Sequence, residues 1–138
     1  MKLQPRIFTL DQVNELLPEI DRLLQHVIQK KDMYDRRHDE VLLHELLTEV
    51  ENSNGAGEES LKALESDYLS LEEDLNDLER ELQKIIQHGC MVHDLENGCI
   101  DFLSKKNGEL ICYCWKVGET RVQYFHKYHS KSKDRELI

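Results

Sequence analysis

Four residues in the last third of the chain, Asp101, Cys114, Glu119 and His126, are of types that hold a metal or move a proton. A carboxylate beside an imidazole binds divalent ions or runs general acid–base chemistry. With a thiol added, the O, S and N donors suit zinc or ferrous iron better than magnesium. On such an ion, bound water of lowered pKa would be the nucleophile of a hydrolase, with a free carboxylate as base. Each residue also has a plainer reading. Asp101 can accept from backbone amides, Glu119 can pair with Arg121, and His126 can be a satisfied edge residue.

Other constellations are weaker. Cys90-x-x-His93 with Cys112-x-Cys114 has zinc-ligand types, but the spacing is not that of a pair of knuckles. Small buried hydrophobes are the preferred reading of those cysteines. Asp35, His38, Glu40 and His44 lie at helical spacing. A carboxylate-bridged di-iron site would need a second acid–His pair on a facing helix, and the second helix has none. They read as a solvated face. The sequence has no glycine-rich phosphate loop, no GxSxG elbow and no aromatic-plus-basic strand of nucleic-acid type.

The elements that must position the four residues follow from periodicity. After Gly89 the pattern has period two. Met91–Leu95, Cys99–Ser104, Glu109–Lys116 and Arg121–Lys127 read as strands. Asn107-Gly108 is a type I′ hairpin signal. Closing the turn there pairs Lys106 with Glu109, Ser104 with Ile111, Phe102 with Tyr113 and Asp101 with Cys114. Cys99, Asp101, Leu103, Cys112 and Cys114 then share one face. Ile100, Phe102, Ile111, Tyr113 and Trp115 share the other, which is assigned to the helices. The turn at Val117–Thr120 leaves the parity of the last strand open, so His126 faces either Asp101 or Trp115. Residues 128–138 have no period and read as a tail.

Before Gly89 the pattern is helical. Thr9 and Gln12 form a capping box, and Phe8 can pack back on Val13 as a staple. Val13, Leu17, Ile20, Leu24 and Val27 line one face, with Pro18 expected to bend the helix near Asn14. Val41, Leu42, Leu46, Leu47 and Val50 resume an apolar face. Residues 52–57 (NSNGAG) read as a turn. Leu61, Leu64, Tyr68, Leu71, Leu75, Leu78, Leu82 and Ile85 then repeat in three–four steps, four heptads of a coiled-coil seam. The short loop favours an antiparallel hairpin, an arm roughly 45 Å long at 1.5 Å per residue. The expected fold is α+β in a single domain over residues 1–138. A first helix spans 9–51 and a second 58–88. A small antiparallel sheet of three to four strands (90–127) follows the coiled-coil-like hairpin, and a tail (128–138) ends the chain.

Composition narrows the classes. The 138 residues carry a net charge of −10. From Ser104 onward eight Lys or Arg face four acids, a surplus of +4, so the first 103 residues carry −14. Such acidic helices repel nucleic acid and anionic lipid, and neither is an expected partner. No apolar run approaches the roughly 20 residues that cross a bilayer, and MKLQPRIFTL lacks a secretory apolar core. A cytoplasmic setting is expected.

The motifs Phe8-Thr9-Leu10, Asn14, Leu16-Leu17-Pro18, Gly89-Cys90, Asp94-Leu95, Gly98, Asp101-Phe102, Cys114-Trp115, Gly118-Glu119 and His126 recur in order along nearly the whole chain. On them the sequence resembles a family of bacterial proteins known as domain-of-unknown-function family 2203. The resemblance implies a helical hairpin with a small β-sheet. It places Cys90 and Cys114 on motif positions but not His93, Cys99 or Cys112. That favours Asp101, Cys114, Glu119 and His126 over the cysteine-based set. The chain departs from the pattern after His126, where an acid is usual and Lys127 stands. Its ending also differs, with Arg135 in the place of the family's arginine. The family carries no activity that could be transferred. The expected function is a non-enzymatic interaction module. Its arm binds a protein partner or itself. The alternative is a metal-binding protein or metal-dependent hydrolase holding zinc or iron on the sheet.

Overall fold

A computed structural model of the chain describes residues 6–53, 57–130 and 134–138. The expected turn over 52–57 has its centre outside them. The fold is α+β: two long helices packed together, followed by a five-stranded antiparallel sheet. The helices are α1 (Leu10–Ser53) and α2 (Glu58–Ile86). The strands are β1 (Met91–Asp94), β2 (Cys99–Lys106), β3 (Glu109–Lys116), β4 (Tyr124–Lys127) and β5 (Glu136–Leu137), neighbours in chain order. No helix among the described residues is long and apolar enough to cross a membrane. The chain divides into two compact units, Met1–Ile28 with Glu81–Ile138, and Gln29–Arg80.

The first unit is the head. Its helix start is the expected capping box: Thr9 N–H donates to Gln12 Oε1 at 2.9 Å, and Gln12 N–H to Thr9 Oγ1 at 3.2 Å. Each bond satisfies a donor that the first helical turn leaves without a carbonyl. Val13, Leu17, Ile20, Leu24 and Val27 are buried with Ile85 of α2 and with Ile100, Phe102 and Trp115 of the sheet. Each such side chain contributes about 1.5–3 kcal/mol of transfer free energy. Phe8 meets Phe102 edge-on, centroids 5.3 Å apart. Phe8 N–H donates to the Leu103 carbonyl and Ser104 Oγ to the Phe8 carbonyl, so the N-terminal segment is clasped to β2.

The β2–β3 register is the one the turn dictates, from Lys106 opposite Glu109 to Asp101 opposite Cys114. Asn107 (φ 52°) and Gly108 (φ 79°) both take the left-handed backbone a type I′ turn needs. Trp115 lines a cleft with Asn14, Leu17, Pro18 and Asp21 of α1, so its face is the one turned to the helix. Two expectations change. The last long strand begins at Tyr124, because Val122 N–H is drawn to Asn14 Oδ1 at 3.0 Å and leaves the ladder. The tail contains β5, which pairs Leu137 with Tyr124 and Glu136 with Phe125. Two residues are too few to show a period.

The second unit is the hairpin arm, Gln29–Arg80. Arg37 binds Asp74 at 2.6 Å, His44 binds Asp67, and Ser60 Oγ donates to Glu51 at 2.5 Å. Each step of seven along α1 is matched by a step of seven back along α2, the signature of antiparallel helices. Val41, Thr48, Leu64 and Leu78 are buried. The other expected seam row (Leu61, Tyr68, Leu75) is exposed, and so are Leu42, Leu46, Leu47 and Val50, together with Leu43. The continuous apolar face expected from Val41 onward is therefore split: Val41 turns in and the rest turn out. With a single neighbour each, the helices bury one row apiece and leave the second uncovered.

Candidate functional site

The open parity resolves toward Asp101. His126 on β4 is paired with Cys112 on β3, and Cys112 shares a face with Cys114 and Asp101. Both ends of the arrangement are enclosed: Asp101 is 3% exposed and His126 1%. His126 Nε2 lies 3.2 Å from Asp101 Oδ2. A third residue joins them. His93 Nδ1 stands 2.9 Å from the same oxygen, and the two imidazole centroids are 5.7 Å apart. The donor atoms of His93, Asp101 and His126 all lie within 4.8 Å of one another. The other carboxylate oxygen, Asp101 Oδ1, is buried with no hydrogen-bond partner.

The local fold explains the meeting. β1 pairs with β2 by Met91 opposite Asp101 and Val92 opposite Ile100, but Asp94 opposite Cys99. The ladder thus skips His93, which sits in a bulge. Met91 stands opposite Asp101 and shares its face, and two-residue alternation puts His93 on that same face, so the imidazole lies over Asp101. Asp94 anchors the turn that follows, accepting from Asn97 N–H at 3.2 Å and from its side-chain amide at 2.5 Å.

His126 is held by its other nitrogen. Nδ1 is 2.8 Å from the Lys127 carbonyl. A carbonyl only accepts, so Nδ1–H donates, and in the neutral ring Nε2 carries a lone pair aimed at Asp101. The contact uses the backbone of Lys127 and does not depend on the lysine side chain.

Cys114 belongs to the same face, opposite Asp101. Burial pushes the Cys112 and Cys114 thiols up to about 12, and the Asp101 carboxylate adds to both shifts. Glu119 does not join the cluster. Its carboxylate takes both Arg135 nitrogens, at 3.1 and 3.2 Å, and the Lys116 N–H at 2.6 Å. Its carbonyl accepts from the Trp115 indole at 2.8 Å. Arg135 in turn lies 3.9 Å over the Tyr124 ring and 4.0 Å from Cys114 Sγ. Glu119 therefore fixes the β3–β4 connection and the tail, and its partner is Arg135 rather than Arg121. Cys90, of the discounted zinc pattern, is buried and donates its thiol to the Ile85 carbonyl at 3.3 Å.

Of the four expected site residues, Asp101, Cys114 and His126 share one face and Glu119 stands apart. His93, named only in the discounted Cys90-x-x-His93 pattern, belongs to this cluster, and Arg135 went unrecognised. The signal for His93 was its place two residues after Met91 on a strand beside Asp101. For Arg135 it was the family's arginine.

The arm offers a surface of another kind. Leu42, Leu43, Leu46, Leu47 and Val50 are each half or more exposed. No Lys or Arg lies between Arg37 and Lys62, whereas Asp39, Glu40, Glu45, Glu49, Glu51, Glu58 and Glu59 do. Residues 29–80 hold six basic and sixteen acidic side chains, a net of −10. Tyr68, on the second helix, has its phenol held above the ordinary range by a hydrogen bond to Glu45.

Over residues 6–138 the chain matches a family described as an uncharacterized conserved protein, domain of unknown function 2203. The chain belongs to this family. No curated protein and no solved structure matches it.

Proposed function

We propose that this member of domain-of-unknown-function family 2203 is a non-enzymatic interaction module whose hairpin arm docks a basic, amphipathic helix of a partner protein. The observation that supports this is the outward leucine face of the arm, Leu42, Leu43, Leu46, Leu47 and Val50, in a stretch rich in acids with no Lys or Arg between Arg37 and Lys62. Contiguous exposed apolar side chains mark interaction surfaces. Helix-in-groove recognition uses anchors at this i, i+3, i+4 spacing. Charge selects the occupant. A second copy would set one arm of −10 against another, whereas a lysine-rimmed helix complements the acids and gains in association rate. Three buried free thiols, Cys90, Cys112 and Cys114, fit a reducing cytoplasmic setting.

The test uses the full chain and two labelled model helices of Leu/Lys and Leu/Glu pattern, read by fluorescence anisotropy. The Leu/Lys helix should bind, more weakly as salt rises, and lose at least about tenfold in affinity on Leu43→Glu with Leu47→Glu. Equal binding of both helices, or none by either, sinks the reading. Light scattering that shows a dimer made monomeric by the same substitutions makes a second copy the occupant and overturns the choice of partner.

A further inference from the structure

The head carries a separate capacity. We infer that His93, Asp101 and His126 form a binding site for one divalent transition-metal ion of the zinc and ferrous-iron class, with a remaining coordination position open on the His93 side.

Three observations carry it. The first is donor geometry. Two ligands at ~2.1 Å around a tetrahedral ion stand about 3.4 Å apart. The two imidazole nitrogens lie 2.9 and 3.2 Å from one carboxylate oxygen, and the whole set fits inside 4.8 Å. An ion placed among them draws the donors toward that common spacing.

The second is the direction of His126. A metal-ligating histidine typically gives its spare N–H to a carbonyl or carboxylate, which fixes the tautomer and aims the lone pair. His126 Nδ1–H is bound to the Lys127 carbonyl in this way. In the neutral ring Nε2 and the Asp101 carboxylate are both acceptors, and either a proton on Nε2 or a bound metal ion reconciles them.

The third is the orphaned oxygen. Asp101 Oδ1 is buried without a partner, and an unsatisfied buried carboxylate oxygen costs about 1–3 kcal/mol or more. A cation that Asp101 binds through both carboxylate oxygens removes that cost. Access comes from one side: His126 is enclosed, whereas the His93 side chain is 28% exposed. Two imidazoles and one carboxylate with an open position are the ligand set of non-haem ferrous sites and of catalytic zinc sites.

The probes are Zn²⁺ and Co²⁺ added to the full chain, prepared without a histidine tag. Elemental analysis after dialysis should find close to one zinc per chain. Cobalt should give the visible d–d bands of a four- or five-coordinate ion. His93→Ala should lower affinity at least about tenfold, and Asp101→Asn about 100-fold. His93→Ala keeps the test valid if Asp101→Asn fails to fold, because the exposed His93 contributes little to the core. Cys112→Ser and Cys114→Ser should retain binding. Less than about 0.1 metal per chain, or wild-type affinity in His93→Ala, overturns the site. Loss of binding in either serine variant with His93→Ala unaffected overturns it in favour of a mixed thiol set.

Discussion

His126 and Asp101 face each other across a strand that belongs to neither: one is on β4, the other on β2, and they meet over β3 with Nε2 3.2 Å from Oδ2. His126 therefore ties three strands together from inside the sheet face. Replacing it by alanine leaves a cavity and removes one of the two imidazoles from a buried carboxylate. The expected cost is about 3 kcal/mol. His93→Ala, on the open side, should cost about 1 kcal/mol or less. Urea unfolding of the two variants without metal checks the order. Equal costs would mean that the enclosed contact has no special weight.

Two glycines separate backbone strain from crowding. Gly98 has φ 65°, and a Cβ there would lie 2.6 Å from Val117 Cγ1. Gly108 has φ 79° but open space around it. Gly108→Ala should cost about 1 kcal/mol from backbone conformation alone, and Gly98→Ala about 2–4 kcal/mol because packing strain is added. Denaturant midpoints of the two variants give the comparison directly.

Arg135 holds β5 through Glu119 and Tyr124. The Arg135 and Glu119 side chains are 14% and 19% exposed, so the pair is only weakly screened. Arg135→Ala should destabilise the head by about 2 kcal/mol. Arg135→Lys should recover little, since an ammonium cannot span both carboxylate oxygens while stacking on a ring. A double-mutant cycle with Glu119→Gln should return a coupling of about 1–2 kcal/mol.

Cys90 is the clean probe of alkaline stability. Burial pushes its thiol from 9.0 up to about 12. The folded state holds the proton more tightly than the unfolded state does. Its contribution is therefore whole below about pH 9 and is lost as pH rises toward 12. Wild-type urea midpoints should fall from pH 9 to 11, and less steeply in Cys90→Ala. At pH 8 a thiol reagent should leave Cys90 unmodified until urea unfolds the chain.

The sequence disclosed most where one local rule decides many contacts. Asn107-Gly108 set eight cross-strand pairs at once, Asp101 with Cys114 among them. Thr9 and Gln12 set the start of α1. It disclosed less where a distant group intervenes. Asn14 pulls Val122 out of the last strand, which hid the parity of His126. The pairing of β1 with β2, Met91 opposite Asp101, is not fixed by a tight turn such as Asn107-Gly108, so the sequence did not place His93 beside Asp101. On the arm, two apolar rows compete for one neighbouring helix, and no property of either row alone says that Val41 turns in while Leu42 and Leu43 turn out. Glu119 had an arginine partner as expected, but not the adjacent one: Arg135 arrives by way of a two-residue strand.

The polar rungs of the arm, 37 with 74, 44 with 67 and 51 with 60, recur every heptad on both helices. That regularity makes arm length an adjustable quantity. Removing one heptad from each helix, about 10 Å of rise, brings the next rungs into the same registration and leaves residues 6–28 and 81–138 untouched. The length of the arm is thus a dimension that insertions and deletions in matched sevens lengthen or shorten.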